Sequence, residues 1–188
     1  MKALGIMAGP RKGQVTDHLI DAALQGAKDR GAVTDKVYLY DLDIKPCTAC
    51  NVCSTTKKCV IHDDHQAVLD KMNVADIVIF GSPTYESNTT SVAKKFMERS
   101  LSFFDMTISG PKRRSKTPSK VILITSCGAP FPFNIFMGMS TGCINAMKVF
   151  FKYMPVKIRT VTAAGVGDFD EKKCAKHLRK AYQLGKTI

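Results

Sequence analysis

The sequence predicts an α/β protein built on a five-stranded parallel β-sheet with helices on both faces. Two observations support this class. Five short apolar runs of strand length recur along the 188 residues, most of them closed by Gly, Pro or polar turn residues. A stretch with apolar residues at helical spacing follows each run, and this alternation is typical of parallel sheets. The length and the absence of a linker-like segment predict one domain, residues 1–188.

The predicted strands cover residues 3–7, 36–42, 75–81, 121–126 and 157–164. Residues 75–81, "ADIVIFG", are apolar throughout, which indicates a central strand. With right-handed crossovers, five strands favour the flavodoxin-like order 2-1-3-4-5. In such a sheet, ligands bind at the carboxyl ends of the strands, at the switch point between the first and third strands.

The predicted helices begin and end at recognisable signals. Gly31 and Pro155 are the breaking residues after the first and fourth helices, and Asp63 or Asp64 is a suitable N-cap for the second. The helices are expected at residues 16–32, after 63–64, at 91–104, at about 142–153 and at about 170–184.

The charge is strongly positive, at +12 from 28 basic and 16 acidic residues. This balance favours nucleic acid, an anionic membrane surface or an acidic protein as a partner. No aromatic residues interleave the densest basic run, so nucleic acid is not expected. We expect that run to be an exposed loop, with docking of an acidic electron carrier as the alternative. It comprises Lys112, Arg113, Arg114, Lys116 and Lys120.

The sequence predicts a cytoplasmic protein that does not enter a membrane. The apolar start, "MKALGIMAGP", is too short for a signal peptide, and no apolar run approaches 18 residues. A cytoplasmic protein keeps its cysteines reduced, which favours metal or redox chemistry over disulfides.

Four of the seven cysteines lie within 13 residues, in the stretch "CTACNVCSTTKKC". A C-x2-C-x2-C-x5-C spacing suits a [4Fe–4S] cluster, which commonly takes three thiolates from one tight loop. Structural zinc sites more often pair two separated knuckles. The spacing favours the cluster but leaves zinc, free thiols and disulfides open. The candidate ligands are Cys47, Cys50, Cys53 and Cys59.

Three loops that follow strands are expected to meet at the switch point. Residues 8–19 carry Gly9 and Gly13 before a helix N-terminus, an arrangement that suits a terminal phosphate. Residues 81–90 offer an aromatic side chain and several hydroxyl and amide groups, which suit a flat heteroaromatic ring. Residues 126–133 include Gly128, which permits close approach of the backbone to a ring edge.

Three segments carry a resemblance to a known family: "GPRK" with a later Thr, "GSPTYESNTT" with "KKFMERS", and "CTACNVCSTTKKCVIHDD". They resemble the flavodoxin-like NAD(P)H-dependent FMN reductases and, within these, the iron–sulfur flavoproteins. The resemblance implies FMN and a [4Fe–4S] cluster as cofactors, and it implies no catalytic side chain. The residues implied to bind the FMN phosphate are Gly9, Pro10, Arg11, Lys12, Gln14 and Thr16. Those implied to contact the ring are Ser82, Pro83, Thr84, Tyr85 and Asn88. Those implied on the ribityl or pyrimidine side are Ser126, Cys127 and Gly128.

Two residues of the first loop depart from the family pattern. Gly9 stands where the family has Ser, and Val15 stands where it has Asn. Each lost hydrogen bond is worth about 0.5–1.5 kcal/mol, so FMN is expected to bind about tenfold or more weakly.

The resemblance implies a flavin-dependent oxidoreductase. In this hypothesis a one-electron donor such as ferredoxin reduces the cluster, and electrons pass to FMN and on to oxygen, peroxide or a quinone. It also implies a homodimer or homotetramer in which the cysteine loop lies near a neighbouring subunit's flavin. Two alternatives remain: a cluster-free NAD(P)H-dependent FMN or quinone reductase, and a non-enzymatic binding module.

Overall fold

The computed structural model describes residues 1–107, 110–113, 118–152, 154 and 156–187. The strands are β1 Lys2–Met7, β2 Val33–Tyr38, β3 Ile77–Gly81, β4 Phe104–Thr107, β5 Gly110–Arg113, β6 Lys120–Cys127 and β7 Lys157–Ala164. Five of them form one parallel sheet in the order β2-β1-β3-β6-β7. Counted along this sheet, the order is 2-1-3-4-5, so the predicted fold class is confirmed.

The helices are α1 Val15–Lys28, α2 Val52–Thr56, α3 His65–Val74, α4 Ser91–Arg99, α5 Phe133–Phe136, α6 Met139–Phe151 and α7 Glu171–Lys186. Helices α3, α4 and α6 cover one face of the sheet, and α1 and α7 cover the other. Each face therefore has its own apolar core. Strand β3 is buried along its whole length, as a central strand between two helical layers must be.

Three predicted boundaries differ from the structure. The first helix ends at Lys28 rather than near Gly31, because the chain leaves the helix in a turn in which Gly31 has φ +84°. Strand β2 begins earlier than predicted, since Val33 pairs with Lys2, and it ends at Tyr38 where a 3₁₀ turn follows. The helix predicted to reach residue 104 ends at Arg99 and continues as a 3₁₀ turn.

The prediction of an exposed loop for the basic run is wrong where the structure describes it. Residues Gly110–Arg113 form β5, which pairs antiparallel with β4. Lys120 is buried at the start of β6, and its ammonium group donates hydrogen bonds to Leu184 O, at 3.1 Å, and to Thr187. Arg114, Lys116 and the helix breaker Pro155 lie outside the described residues.

None of the helices in the described ranges combines the length and the apolar composition that a membrane crossing requires. Cytoplasmic location remains a prediction.

Helices α1 and α7 touch backbone to backbone through two glycines. A Cβ atom at Gly26 would lie 2.1 Å from Tyr182 O, and one at Gly185 would lie 2.0 Å from Ala23 O. Both contacts are far inside van der Waals distance, so the two helices must separate to admit a methyl group.

We expect Gly26→Ala to lower the free energy of unfolding by about 2 kcal/mol. Overpacking costs about 1–3 kcal/mol, and more where the backbone must move, while helix propensity returns up to about 1 kcal/mol. Urea unfolding measures the change. Gly167→Ala is the matched control, because nothing lies within 4 Å of a Cβ atom there. Equal unfolding midpoints for the two variants would show that α1 and α7 are not in close contact.

Candidate functional site

The three loops predicted to form a ligand site meet at the carboxyl edge of the sheet. Ala8 N donates to Gly81 O at 2.8 Å, which ties the loop after β1 to the end of β3. Thr84 N donates to Ser126 O at 2.9 Å, which ties the loop after β3 to the end of β6. The juxtaposition expected from the strand order is therefore present, at the switch point.

The loop before α1 has a free helix N-terminus at its end. Gln14 is the N-cap residue, but its side chain does not cap the helix: its Oε1 accepts a hydrogen bond from Phe169 N at 2.9 Å. Asp17 Oδ2 accepts from Gly13 N at 2.7 Å and fixes the turn, in which Gly13 has φ +69°. The loop therefore holds its shape without a ligand, and it presents helix-end N–H groups to an anion.

The two cations predicted for the phosphate loop are engaged elsewhere. Arg11 Nη1 lies 2.7 Å from Asp168 Oδ1, and Lys12 Nζ lies 2.5 Å from Asp41 Oδ2, both at the surface. The Asp41 carboxylate raises the pKa of Lys12 above its ordinary value. Exposed pairs of this kind are worth little, so a phosphate could draw Arg11 from Asp168 at small cost.

A tight turn presents Tyr85 at the sheet edge. Tyr85 and Asn88 exchange both backbone hydrogen bonds, at 2.9 and 2.8 Å, around Glu86 and Ser87. Both central residues have positive φ, +46° and +57°, although neither is glycine. Such conformations cost about 1–3 kcal/mol each and are concentrated at functional sites. The tyrosine side chain is 45% exposed, so it is available to a ligand.

Other predicted contacts hold the loops together. Ser82 is fully buried; its hydroxyl donates to Pro83 O at 2.9 Å and accepts from Thr90 N at 3.1 Å. The Thr84 hydroxyl lies 3.0 Å from that of Thr125. Asn88 Oδ1 accepts a hydrogen bond from Thr89 N at 2.8 Å. These side chains are already paired, so the structure gives them a positioning role.

Eight of the predicted flavin contacts line one shallow cleft: Gly9, Pro10, Arg11, Gln14, Thr16, Pro83, Tyr85 and Ser126. Its enclosed volume is only 20 Å³, so a flavin would lie across its mouth. Thr16 Oγ1 and Ser126 Oγ are 2.8 Å apart on its floor. Cys127 is buried, while a Cβ atom at Gly128 would meet nothing within 4 Å. The exposed aromatic ring, the polar floor and the open space at Gly128 fit a flavin.

The two departures from the family pattern have packing causes. A Cβ atom at Gly9 would lie 2.7 Å from Met7 Cε and 2.9 Å from Pro83 Cδ, so those side chains occupy the space of a serine. Val15 is buried in the core between the sheet and α1. The polar groups expected at these positions are replaced by apolar contacts.

The four clustered cysteines line a single cavity of 430 Å³. Cys53 lies in α2, Cys47 and Cys50 precede it, and Cys59 follows it. Burial and then the nearness of the other three thiols raise the pKa of Cys53. The four cysteines predicted as ligands therefore border the same cavity, and their role as ligands stays a prediction.

Three non-glycine residues with positive φ shape this loop: Ala49, Asn51 and Lys57, at +54°, +58° and +65°. The chain reverses sharply at each of them, so successive cysteines turn back toward the same cavity. Ala49 N lies 3.4 Å from Cys47 Sγ and donates to it. Hydrogen bonds to the ligand sulfurs are among the factors that set the reduction potential of an iron–sulfur cluster.

A buried arginine closes the loop from outside. Arg99, the last residue of α4, donates from Nη2 to Cys59 Sγ at 3.2 Å and forms a fully buried ion pair with Asp63. Burial disfavours the guanidinium, but the hydrogen bonds to Asp63 and Cys59 raise the pKa of Arg99 overall. In the sequence, Arg99 is recognisable only as one residue of the "KKFMERS" motif, because its contact with Cys59 joins residues 40 positions apart.

The thiol set is not arranged around one ion. In the described part of the chain, no group of three or more Cys, His, Asp or Glu side chains has the geometry to hold a metal ion. All seven cysteines are free. The four free thiols and the cavity they line are the donors and the space that an iron–sulfur cluster would use.

The other cysteines occupy packing positions. Cys143 and Cys174 are fully buried in α6 and α7. Cys143 Sγ lies 3.7 Å from Ser82 O, beneath the loop after β3, and burial raises its pKa.

A parallel sheet in this order, with its loops gathered at the switch point, defines a flavodoxin-like α/β protein. Residues 1–130 match the profile of the family described as NADPH-dependent FMN reductase. The chain therefore belongs to the NADPH-dependent FMN reductase family, which confirms the family resemblance of its motifs.

Relatives named iron–sulfur flavoprotein come from three archaea. The protein of Methanosarcina thermophila is 41% identical over 101 residues, which cover 54% of this chain and 53% of that protein. One from Archaeoglobus fulgidus is 29% identical over 191 residues, covering all of this chain and 79% of that protein. The matched part of this chain thus spans about half the length of the Methanosarcina thermophila protein.

Solved structures share the fold at low identity. An azoreductase from Bacillus anthracis has a TM-score of 0.75 and 19% identity, with all of both chains covered. An NAD(P)H:quinone oxidoreductase from Methanothermobacter marburgensis has a TM-score of 0.77 and 14% identity, covering all of this chain and 98% of that one. Both likenesses confirm the flavodoxin-like fold.

Proposed function

We propose that this protein is an iron–sulfur flavoprotein, an oxidoreductase with FMN at the sheet edge and a [4Fe–4S] cluster in the cysteine loop. One observation carries the proposal: four thiols face a single 430 Å³ cavity that is separate from the flavin cleft. The names of the archaeal relatives support it. The proposed ligands of the cluster are Cys47, Cys50, Cys53 and Cys59.

At the flavin site, the N-terminus of α1 and Thr16 would bind the phosphate. Pro83 and Tyr85 would orient the isoalloxazine ring, and Gly128 would leave room for its edge. Ser82, Thr84 and Asn88 would hold the turn that carries Tyr85. When bound, the cluster carries single electrons and FMN converts between one-electron and two-electron transfer.

Helix α4 separates the two sites within one chain. Thr90 caps its start at the flavin loops, and Arg99 ends it at the cysteine loop, about 13 Å away at 1.5 Å per residue. The family resemblance implies a homodimer or homotetramer in which the cysteine loop of one subunit lies near the flavin of another. We propose that the protein forms such an assembly, that each chain is a single domain, and that the protein is cytoplasmic.

The positive charge supports an acidic one-electron donor such as ferredoxin, because a net charge of +12 steers a negatively charged carrier to the surface. The acceptor we propose is a small molecule: oxygen, peroxide or a quinone. Tyr85 at the mouth of the cleft leaves the ring accessible to molecules of this size.

Protein purified without oxygen and reconstituted with iron and sulfide is expected to contain about four of each per chain, as a [4Fe–4S] cluster requires. Added FMN should raise the melting temperature, by an amount that grows with the logarithm of its excess over Kd. Iron and sulfide analysis and thermal unfolding are the measurements. Flavin binding with no iron after reconstitution would exclude the cluster, and protein that FMN does not stabilise would favour a non-enzymatic module.

The family match favours one alternative, a cluster-free reductase that takes electrons from NAD(P)H and passes them to FMN or a quinone. The iron analysis separates it from the first proposal. Rapid bleaching of bound flavin by NADPH or NADH, in protein that binds no iron, would support this alternative.

A further inference from the structure

We infer that Arg99 is a positioning residue for the cluster, holding the cysteine loop closed and shifting the cluster's reduction potential to more positive values. The inference rests on the proposed function, because it concerns the iron–sulfur site. It assigns a specific task to a residue that lies on α4, outside the cysteine loop itself.

The guanidinium group joins both ends of the loop. Nη1 donates to Lys45 O at 3.3 Å, just before the first cysteine. Nη2 donates to Ile61 O at 3.2 Å, just after the last one, and to Cys59 Sγ at 3.2 Å. Asp63 accepts from Nη1 and also from Lys45 N, at 2.9 Å in the latter case. One planar cation therefore fixes the distance across the mouth of the loop.

The group is held out of water. The side chain of Arg99 is 1% exposed and that of Asp63 is 0% exposed. A buried cation needs a paired anion, so Asp63 fixes the charge and the place of the guanidinium group. Arg99 Nε is buried and finds no acceptor among the described residues. Arg99 also lines the cysteine cavity.

The expected direction of the potential follows from charge. A cluster becomes more negative when it accepts an electron, and hydrogen bonds to its sulfur ligands stabilise that added charge. A donor that is itself cationic does so more strongly than a neutral amide. Of the four thiolates, Cys59 is the one that receives a hydrogen bond from Arg99, so its corner of the cluster is the one affected.

Two variants test the inference. The double variant Arg99→Met with Asp63→Asn removes the donor without leaving an unpaired buried carboxylate. Arg99→Lys keeps the positive charge but loses the planar group that donates from two nitrogens. It provides the test if the double variant does not fold. Lys94→Met is the control, because Lys94 is an exposed cation on the same helix, paired with Glu98 at 3.5 Å.

The reconstituted proteins are compared by redox titration of the cluster. We expect the double variant to lower the equilibrium constant for reduction about tenfold, which is about 59 mV for one electron. Arg99→Lys should shift the reduction potential in the same direction by a smaller amount, and Lys94→Met should leave the potential unchanged. Equal potentials in all iron-loaded proteins would overturn the effect on the cluster.

A second readout does not depend on iron. In iron-free protein, backbone amides of residues 45–63 should exchange hydrogen several-fold faster in the Arg99 variants than in wild type or Lys94→Met. Unchanged exchange would overturn the positioning role. Failure of wild type to take up iron would instead defeat the proposed function, while the exchange rates would still decide whether Arg99 closes the loop.

Discussion

Cys50→Ala is expected to abolish the iron content of the reconstituted protein and to leave its flavin bound. Cys50 is exposed and lines the cavity with the three other thiols, so its removal deletes one corner ligand without disturbing the core. The flavin cleft shares no residue with this cavity and lies at the other end of α4. The two cofactors should therefore be lost independently.

Iron analysis and the flavin absorbance of the same sample measure both effects. Cys174→Ala is the matched control, because Cys174 is a free thiol buried in α7, far along the chain from the cysteine loop. The control should keep its iron. If Cys50→Ala retained the wild-type iron content, Cys50 would not be a ligand and the proposed donor set would be wrong.

Gly142→Ala is expected to weaken FMN binding at least about tenfold. A Cβ atom at Gly142, in α6, would lie 2.0 Å from Ser87 O, in the turn that presents Tyr85. The turn must move away from the helix to admit a methyl group, and it would carry Tyr85 with it. Loss of one or two contacts worth about 0.5–1.5 kcal/mol each corresponds to a change of this size.

Titration of iron-free protein with FMN, followed by flavin fluorescence, gives the dissociation constant. Asn145→Ala is the control, an exposed position one turn further along α6. Urea unfolding of both variants shows whether the fold is retained. A dissociation constant equal to that of the control would mean that the turn does not position the flavin.

The fold was predictable because its determinants are local. The apolar run of β3 and the helical spacing of Leu19, Ile20 and Ala23 in α1 each depend on neighbouring residues. General rules of handedness then restrict the order of the strands. The hairpin of β4 and β5 was missed, since Gly110 and Pro111 favour a loop and only pairing with β4 makes them a strand.

The candidate sites were predictable only in part. Cysteine spacing locates the donor set, because all four lie in one short segment. Arg99 and Gly142 act through contacts with Cys59 and Ser87, which are 40 and 55 positions away along the chain. Nothing in the local pattern indicates which distant residue will meet a loop. Gly9 shows the converse, since its departure from the family pattern is explained only by the packing of Met7 and Pro83.

The stem of the cysteine loop has a consequence for how such proteins diversify. Asp64 N donates to Asp43 O at 3.1 Å, and Asp43 N donates to Asp64 Oδ2 at 2.8 Å. The cysteine loop therefore begins and ends at adjacent points of the fold, between β2 and α3. A short reverse turn across Asp43 and Asp64 could replace it and leave the sheet and the flavin loops in place. On this scaffold, the cysteine loop is a module that one insertion or deletion can add or remove.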